Sequence, residues 1–397
     1  MAIPSVEDLL AEYNPWWSRD YSFPAYINRP SFEQKLYDLI DKKGIVLLTG
    51  LRRVGKTTLL KRAIQQLLEQ GTPAKHILYV SFDDYAVKDL SMIEVIDRYY
   101  QMQRLSYDVK AYVFLDEVTY IPEFHRQLKN LYDRERVKVF ASSSSATALR
   151  DQRGFLTGRE WVIEVKPLDF EEFLLFRGLK INSYDVALRK SYFEEYLQHG
   201  GMPEYVLDYN REYLTSLVDE IIAKDIVMFH KLRSPEILKD YFNLLMERAG
   251  KQISLNKVAN ILAISLDSAR RYLQMFEDTF LIYLVSRHGK TNETIMSSKK
   301  VYAADLGIRN LFTGFRDKGA LFENYIFNKI RALRPRYIYQ DGNEIDFMTE
   351  NNWLIEVKYG KEMNAKQQAL FEKMKAKEKL IISSLHDLDK LDHLLLT

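Results

Sequence analysis

The sequence predicts an α/β protein, with a parallel sheet in its N-terminal half, helices in the middle and a smaller α/β block at the end. Three observations predict it. Short apolar runs alternate with amphipathic helical stretches from residue 31 onward. A glycine-bearing loop joins the first run to the first helix, and a strand carrying Glu-x-Lys follows another acidic strand near the C-terminus. Buried strands alternating with helices give a parallel sheet covered on both faces.

Residues 1–30 read as an irregular arm in which Trp16 and Trp17 serve as packing anchors. The apolar runs are Ile45–Thr49, Ile77–Phe82, Tyr112–Asp116, Val137–Ala141 and Trp161–Val165. Helical stretches such as Thr57–Glu69 and Phe124–Asp133 lie between them. Residues 173–232 are almost wholly helical in pattern. Residues 233–290 form a second helical unit ending in the apolar segment Thr279–Val285. His288–Lys300 is polar and reads as a linker, and a last α/β block runs from Val301 to the end.

With 397 residues, the chain is too long for one ordinary core. Apolar residues make up 47%, and the 26 Tyr and 21 Phe exclude a disordered chain. The 57 basic and 55 acidic residues leave a net charge of +2, which is no nucleic-acid fingerprint by itself. The chain has no cysteine, so disulfides, thiolate metal sites and a cysteine nucleophile are excluded. No run of about 18 apolar residues is present, so no membrane span is expected, and the cytoplasm is the default location.

The segment Gly50-Leu51-Arg52-Arg53-Val54-Gly55-Lys56-Thr57-Thr58 satisfies G-x-x-x-x-G-K-[ST]. It has the required context, with strand IVLLT before it and helix TTLLKRAI after it. Such a loop turns its backbone N–H groups and a helix N-terminus toward phosphate. The loop and its flank, Gly50 and Arg53 to Thr58, are therefore the candidate ATP contacts. Lys56 would reach the β- and γ-phosphates, and the Thr57 hydroxyl would bind Mg²⁺. Strand Tyr112–Leu115 ends in Asp116 and Glu117, at the strand end where ligands bind in open α/β sheets. Asp116 would hold Mg²⁺, directly or through water, and Glu117 would activate the attacking water. Strand VKVFA runs into Ser142–Ser145. Spacing favours Ser144 as a hydroxyl near the γ-phosphate or the water, and a plain helix cap is the competing reading. Arg159, in Leu156-Thr-Gly-Arg159, is either a transition-state finger in a neighbouring subunit or a surface arginine.

In order, these motifs and Pro167-Leu-Asp-Phe-Glu-Glu-Phe173 resemble a prokaryotic, archaeal-type AAA+ ATPase group related to STAND signalling ATPases. In that group Gly-Gly-x-Pro-Glu follows in a helical lid, and here it stands as Gly200-Gly201-Met202-Pro203-Glu204. The resemblance implies that Pro203 lies against adenine; from the residues alone the segment is a turn between helices. The group usually has Thr-Gly-Ser before the sensor, where this chain has Ser142-Ser143-Ser144.

Ile253–Leu262, a turn at Ala263–Ser265 and a helix containing Ser268–Leu273 describe a winged-helix module. Arg270, Arg271 and Tyr272 would face DNA phosphates, or the module is a spacer. In the C-terminal block, Glu323 sits on the helical stretch Ala320–Leu333, Asp346 on a strand, and Glu356 and Lys358 on one side of the next strand. Two carboxylates of this kind bind Mg²⁺, and the lysine activates water or steadies charge. The order resembles the PD-(D/E)xK nuclease fold, with an active metal-dependent DNA nuclease or an inert binding fold as the readings. The expected domains are therefore an arm (1–30), an AAA+ core (31–172), a helical lid (173–232), a winged helix (233–290) and a nuclease-like domain (291–397). ATP and Mg²⁺ are the expected cofactors, with Glu323, Asp346 and Glu356 as further metal ligands. DNA and a homo-oligomer, with a hexameric ring as one arrangement, are the expected partners.

Overall fold

The computed structural model describes residues 5–18, 21–87, 89–106, 108–146, 156, 158–182, 185–232 and 235–396. Two compact units divide the chain, Met1–Lys166 and Pro167–Thr397.

The first unit is built on five strands, β1 (Ile45–Thr49), β2 (Ile77–Ser81), β3 (Ala111–Asp116), β4 (Val137–Ser143) and β5 (Glu160–Glu164). All pair in parallel, in the order β2-β3-β4-β1-β5. Strands β1 and β2 are buried at every position, as expected of strands covered on both faces. On one face Leu47, Val80, Val113 and Val139 meet Val95, Ile96 and Tyr99 from helix Met92–Met102. Ser91 starts that helix with a reciprocal capping box to Glu94.

The segment expected as an irregular arm is helical in its first part, while residues 21–29 have no regular structure. Val6–Tyr13 is a helix capped by Ser5, with Leu9 and Leu10 in the main core. The Asn14 side chain then mimics a strand. Its Nδ2 donates to the Tyr79 carbonyl at 2.8 Å, and its Oδ1 accepts from Tyr79 N at 2.6 Å. Trp17 Nε1 donates to the Ile77 carbonyl at 2.9 Å, and its ring stacks on Tyr99. These bonds satisfy backbone groups along edge strand β2.

The second unit has two sheets. Strands β6 (Lys251–Gln252), β7 (Ile282–Val285) and β8 (Lys300–Ala303) form an antiparallel sheet in the order β6-β8-β7. Helices Leu255–Ile261 and Leu266–Asp278 lie between β6 and β7 in the chain. The stretch read as a linker, His288–Lys300, holds a short helix, Thr291–Met296, and the first residue of β8. A boundary at 290 therefore cuts this sheet. Four more strands, β9 (Arg336–Gln340), β10 (Asn343–Met348), β11 (Trp353–Val357) and β12 (Glu378–Ile382), form the C-terminal sheet in the order β12-β11-β10-β9. The helices expected as a lid share a core with this region. Phe170, Phe173, Phe193 and Tyr196 pack in one cluster with Phe322, Tyr325, Phe347 and Ile355.

Gly200-Gly201 has a steric reason of its own. A Cβ on Gly201 would lie 2.1 Å from the Leu168 carbonyl oxygen, and one on Gly200 would lie 2.3 Å from Gly307 N. Gly201 N donates to buried Asp305 at 2.6 Å, and Asp305 also caps helix Leu306–Thr313 through Ile308 N at 2.9 Å. Burial pushes the Asp305 carboxyl up to about 6, against the pull of the backbone N–H groups.

Gly201→Ala is therefore expected to cost roughly 3 kcal/mol, on the order of 6–12 °C in Tm. Gly178→Ala should cost only about 1 kcal/mol, because Gly178 has a positive φ but nothing within 4 Å of its Cβ position. Thermal denaturation of both variants checks this pair. Asp305 binds its proton more tightly folded than unfolded, since its carboxyl sits above the unfolded value of about 3.9. Its stabilising contribution is complete below that value and is lost as pH rises through about 6. Urea midpoints at pH 4.5 and 6.5 should differ less in Asp305→Asn than in wild type.

Candidate functional site

The loop between β1 and helix Lys56–Glu69 is shaped by contacts that only glycine permits at its start. Gly50 has φ 138°, and a Cβ there would lie 2.1 Å from the Val165 carbonyl oxygen. Arg53 takes a left-handed conformation, and Gly55 caps the helix. Val54 is buried, and its carbonyl accepts from the Arg29 guanidinium at 2.9 Å. The other Arg29 nitrogen donates to the Lys166 carbonyl at 3.0 Å. One buried arginine thus ties the phosphate-type loop to the chain beyond β5. The Lys56 ammonium lies inside the loop, 3.0 Å from the Gly50 carbonyl, 3.1 Å from that of Leu51 and 3.8 Å from the Glu117 carboxylate.

Thr57, Asp116, Glu117 and Ser144 are brought together at the C-terminal ends of β1, β3 and β4. Asp116 is 2% exposed. Its Oδ2 accepts from Thr57 Oγ1 at 2.6 Å and from Tyr79 Oη at 2.8 Å, and its Oδ1 accepts from Ser142 Oγ. Glu117 takes a left-handed conformation at the strand end, with its N–H donating to Ser142 Oγ at 2.9 Å. The Glu117 carboxylate accepts from Ser144 Oγ at 2.9 Å and from Ser144 N at 3.1 Å. Thr58 is the third residue of the helix. Burial and the Asp116 charge push the Tyr79 phenol upward, so Tyr79 stays a donor. A hydroxyl and a carboxylate 2.6 Å apart are a donor pair that fits Mg²⁺, which takes hard oxygen ligands.

Arg159 lies elsewhere. Its carbonyl accepts from Ile45 N, so it precedes β5 at the opposite ends of the strands from the loop. The guanidinium sits 3.8 Å from Asp133 and over the Tyr132 ring. Pro203 begins helix Pro203–Asp208, and packing of the preceding glycines explains the motif without an adenine contact.

In the second unit, Glu323 and Asp346 meet a residue that sequence reasoning missed, with the Glu356–Lys358 pair beside Asp346. Lys300, on β8, is 1% exposed. Its ammonium is 2.6 Å from Glu323 Oε1, 2.7 Å from Glu344 Oε1 and 3.5 Å from Asp346 Oδ1. Tyr302 Oη donates to Glu323 Oε1 at 2.6 Å, and Gln252 donates to Glu344 at 3.0 Å. Asp346 and Glu356 are turned onto backbone: Val357 N donates to Asp346 at 2.9 Å and Asp346 N donates to Glu356 at 3.1 Å. Lys358 Nζ lies 2.5 Å from Glu356 Oε1. Burial first, and then the neighbouring Asp346 charge, raises the carboxyls of Glu323 and Glu356. Burial alone would lower Lys300, but the surrounding Glu323, Asp346 and Glu344 carboxylates hold it well above its ordinary value.

Of the expected metal ligands, Glu323 and Asp346 meet the Lys300 ammonium and Glu356 meets Lys358, and among the described residues no group of three or more His, Asp or Glu side chains is arranged to hold a metal ion.

Arg270 and Arg271 are exposed on helix Leu266–Asp278. Arg270 pairs with Asp267 at 3.2 Å, and Arg271 lies over the Tyr272 ring. No helix among the described residues is long and apolar enough to cross a membrane.

Three family models match the chain: an AAA domain over residues 42–174, and two domains of unknown function over 190–319 and 318–393. An uncharacterised protein of Methanocaldococcus jannaschii is 27% identical over 339 residues, 79% of this chain and 74% of the relative. One of Haemophilus influenzae is 26% identical over 340 residues, 82% of this chain and 84% of the relative. Among solved structures, a Walker-type ATPase of Pyrococcus abyssi is 16% identical with a TM-score of 0.48, covering 72% of this chain and 96% of that one. AMPPCP-bound DnaA of Aquifex aeolicus is 16% identical with a TM-score of 0.29, covering 67% and 92%. The chain carries an AAA-type P-loop ATPase domain over residues 42–174, followed by two domains of unknown function.

Proposed function

We propose that this chain is a nucleotide-dependent switch that binds and hydrolyses ATP, and that its C-terminal domain binds a partner without cutting it. The observation that carries the ATPase reading is the pairing of Asp116 with Thr57 and of Glu117 with Ser144 at one end of the sheet. Magnesium, bound with the nucleotide, would be held by Thr57 and Asp116 and would neutralise phosphate charge. Lys56 exchanges its carbonyl partners for the β- and γ-phosphates. Glu117, held by both Ser144 donors, orients the attacking water and takes its proton. Tyr79 and Ser142 keep the Asp116 carboxylate in place by donating to it. Arg159, at the far ends of the strands, acts only on a neighbouring chain's nucleotide, so full activity requires an oligomer.

A second reading, an ATP-driven nuclease acting on DNA, is favoured by the adjacency of Asp346, Glu356 and Lys358. The Lys300 ammonium among the carboxylates weighs against it. Exposed Arg270 and Arg271 support duplex contact by the winged helix under either reading.

Lys56→Ala should abolish ATP turnover. Glu117→Gln should retain ATP and slow hydrolysis by about 100-fold or more, read by single-turnover assay; normal turnover would make another residue the base. Tyr79→Phe should lower kcat by about tenfold, the worth of one hydrogen bond to a charged group, with little change in ATP affinity. Arg159→Ala should slow hydrolysis only at concentrations where chains associate. Labelled single-stranded, duplex, flapped and four-way DNAs with Mg²⁺ or Mn²⁺, with and without ATP, should remain uncut. Cleavage lost in Asp346→Ala would instead establish the nuclease.

A further inference from the structure

We infer that Lys300 is the resident cation of the C-terminal domain: its ammonium takes the place of a divalent metal ion among Glu323, Glu344 and Asp346, and its removal turns the cluster into a metal-binding site. The inference concerns the second unit alone and stands or falls separately from the ATPase reading.

An ammonium has three N–H donors and no acceptor. Lys300 Nζ donates to Glu323 at 2.6 Å and to Glu344 at 2.7 Å, and the Asp346 carboxylate lies within ion-pair distance at 3.5 Å. The side chain is buried and stands on β8, while its partners stand on helix Lys318–Ile330 and on β10. No local sequence feature forces that approach; the charges select it. A buried ammonium without partners would be strongly unfavourable, and so would several buried carboxylates without a cation. Each therefore accounts for the other.

The remaining groups are consistent with a filled position. Tyr302 donates to the same Glu323 oxygen that Lys300 meets, and Gln252 takes the second oxygen of Glu344. Backbone N–H groups hold one oxygen each of Asp346 and Glu356. Lys358 pairs with Glu356 at 2.5 Å, and the Asp346 and Glu323 charges act on it as well, so it borders the same cluster. If Lys300 is shortened, oxygens of Glu323, Glu344 and Asp346 lose their shared cation at once. Oxygen ligands of that number and charge suit Mg²⁺ or Mn²⁺.

The test uses the full chain with Asp116→Asn throughout, which silences the nucleotide-site carboxylate. Mn²⁺ binding is followed by electron paramagnetic resonance, and stability by thermal unfolding with Mn²⁺ or EDTA. The parent should bind no Mn²⁺ at the cluster, and its Tm should not respond to either addition. Lys300→Ala should have a lowered Tm, bind one Mn²⁺ per chain and regain stability with it. Adding Asp346→Asn should weaken that binding at least tenfold. Mn²⁺ binding by the parent that is lost on Asp346→Asn would overturn the inference, because lysine and metal would then coexist. So would a Lys300→Ala chain that gains no site. Should Lys300→Ala not fold without metal, Lys300→Met with Glu323→Gln and Glu344→Gln provides a second check. Removing the cation together with two carboxylates should restore folding and bind no Mn²⁺; failure of this chain to fold would mean that Lys300 acts through something other than charge, and the inference would fall.

Discussion

Asp116 ends a strand buried on both faces, so its charge has to be met by donors that the surrounding chain supplies. Three hydroxyls do so, one each from the helix after the loop, from β2 and from β4. Those donors arrive together only when the strand order puts β2 and β4 on either side of β3. A carboxylate left unpaired at this depth would cost several kcal/mol, so the arrangement of the sheet and the arrangement of the site are one constraint. Glu117 follows immediately and inherits its position. Its backbone N–H shares Ser142 with Asp116, and its carboxylate is aimed by the next serine but one.

The same constraint is met differently in the second unit. There the carboxylates outnumber nearby hydroxyls, and compensation comes from an ammonium on a different sheet. Because β8 belongs to the three-stranded sheet and Glu344 to the C-terminal sheet, the Lys300–Glu344 pair also joins those two sheets. Asp305 is a third case. Its partners are backbone N–H groups, including one from Gly201, so the glycine pair is a structural junction within this unit.

Much of the first unit was legible because its signals are local. Continuous apolar runs marked all five strands to within two residues at either end, and the loop motif sits between a strand and a helix that can be read by themselves. Tyr79 and Arg29 were not legible. A tyrosine within an apolar strand carries no sign that its hydroxyl meets a carboxylate 37 residues away. Arg29 looks like any arginine before a proline. The N-terminal helix was readable in principle, since Ser5 followed by acidic residues and Leu9-Leu10 is a start signal. Lys300 was hidden by its neighbours. A polar stretch before a four-residue strand reads as a linker, and the pairing of β8 with β7 that positions the lysine is long-range. Glu323, Asp346 and Glu356 were found as a group, but a list of acids does not reveal which cation stands among them.

The Asn14 and Trp17 bonds to β2 bear on how the first unit behaves in isolation. The sheet has two edge strands, β2 and β5. Asn14 and Trp17 satisfy backbone groups of Tyr79 and Ile77 that would otherwise offer a template to another chain. At β5 the guard is weaker, because Trp161 and Val162 are 45% and 46% exposed. A fragment trimmed to begin at the loop-bearing core would keep every catalytic side chain yet uncover a flat, apolar strand. Its fate would be decided by self-association rather than by lost chemistry, because residues 5–18 carry the cover of the β2 edge.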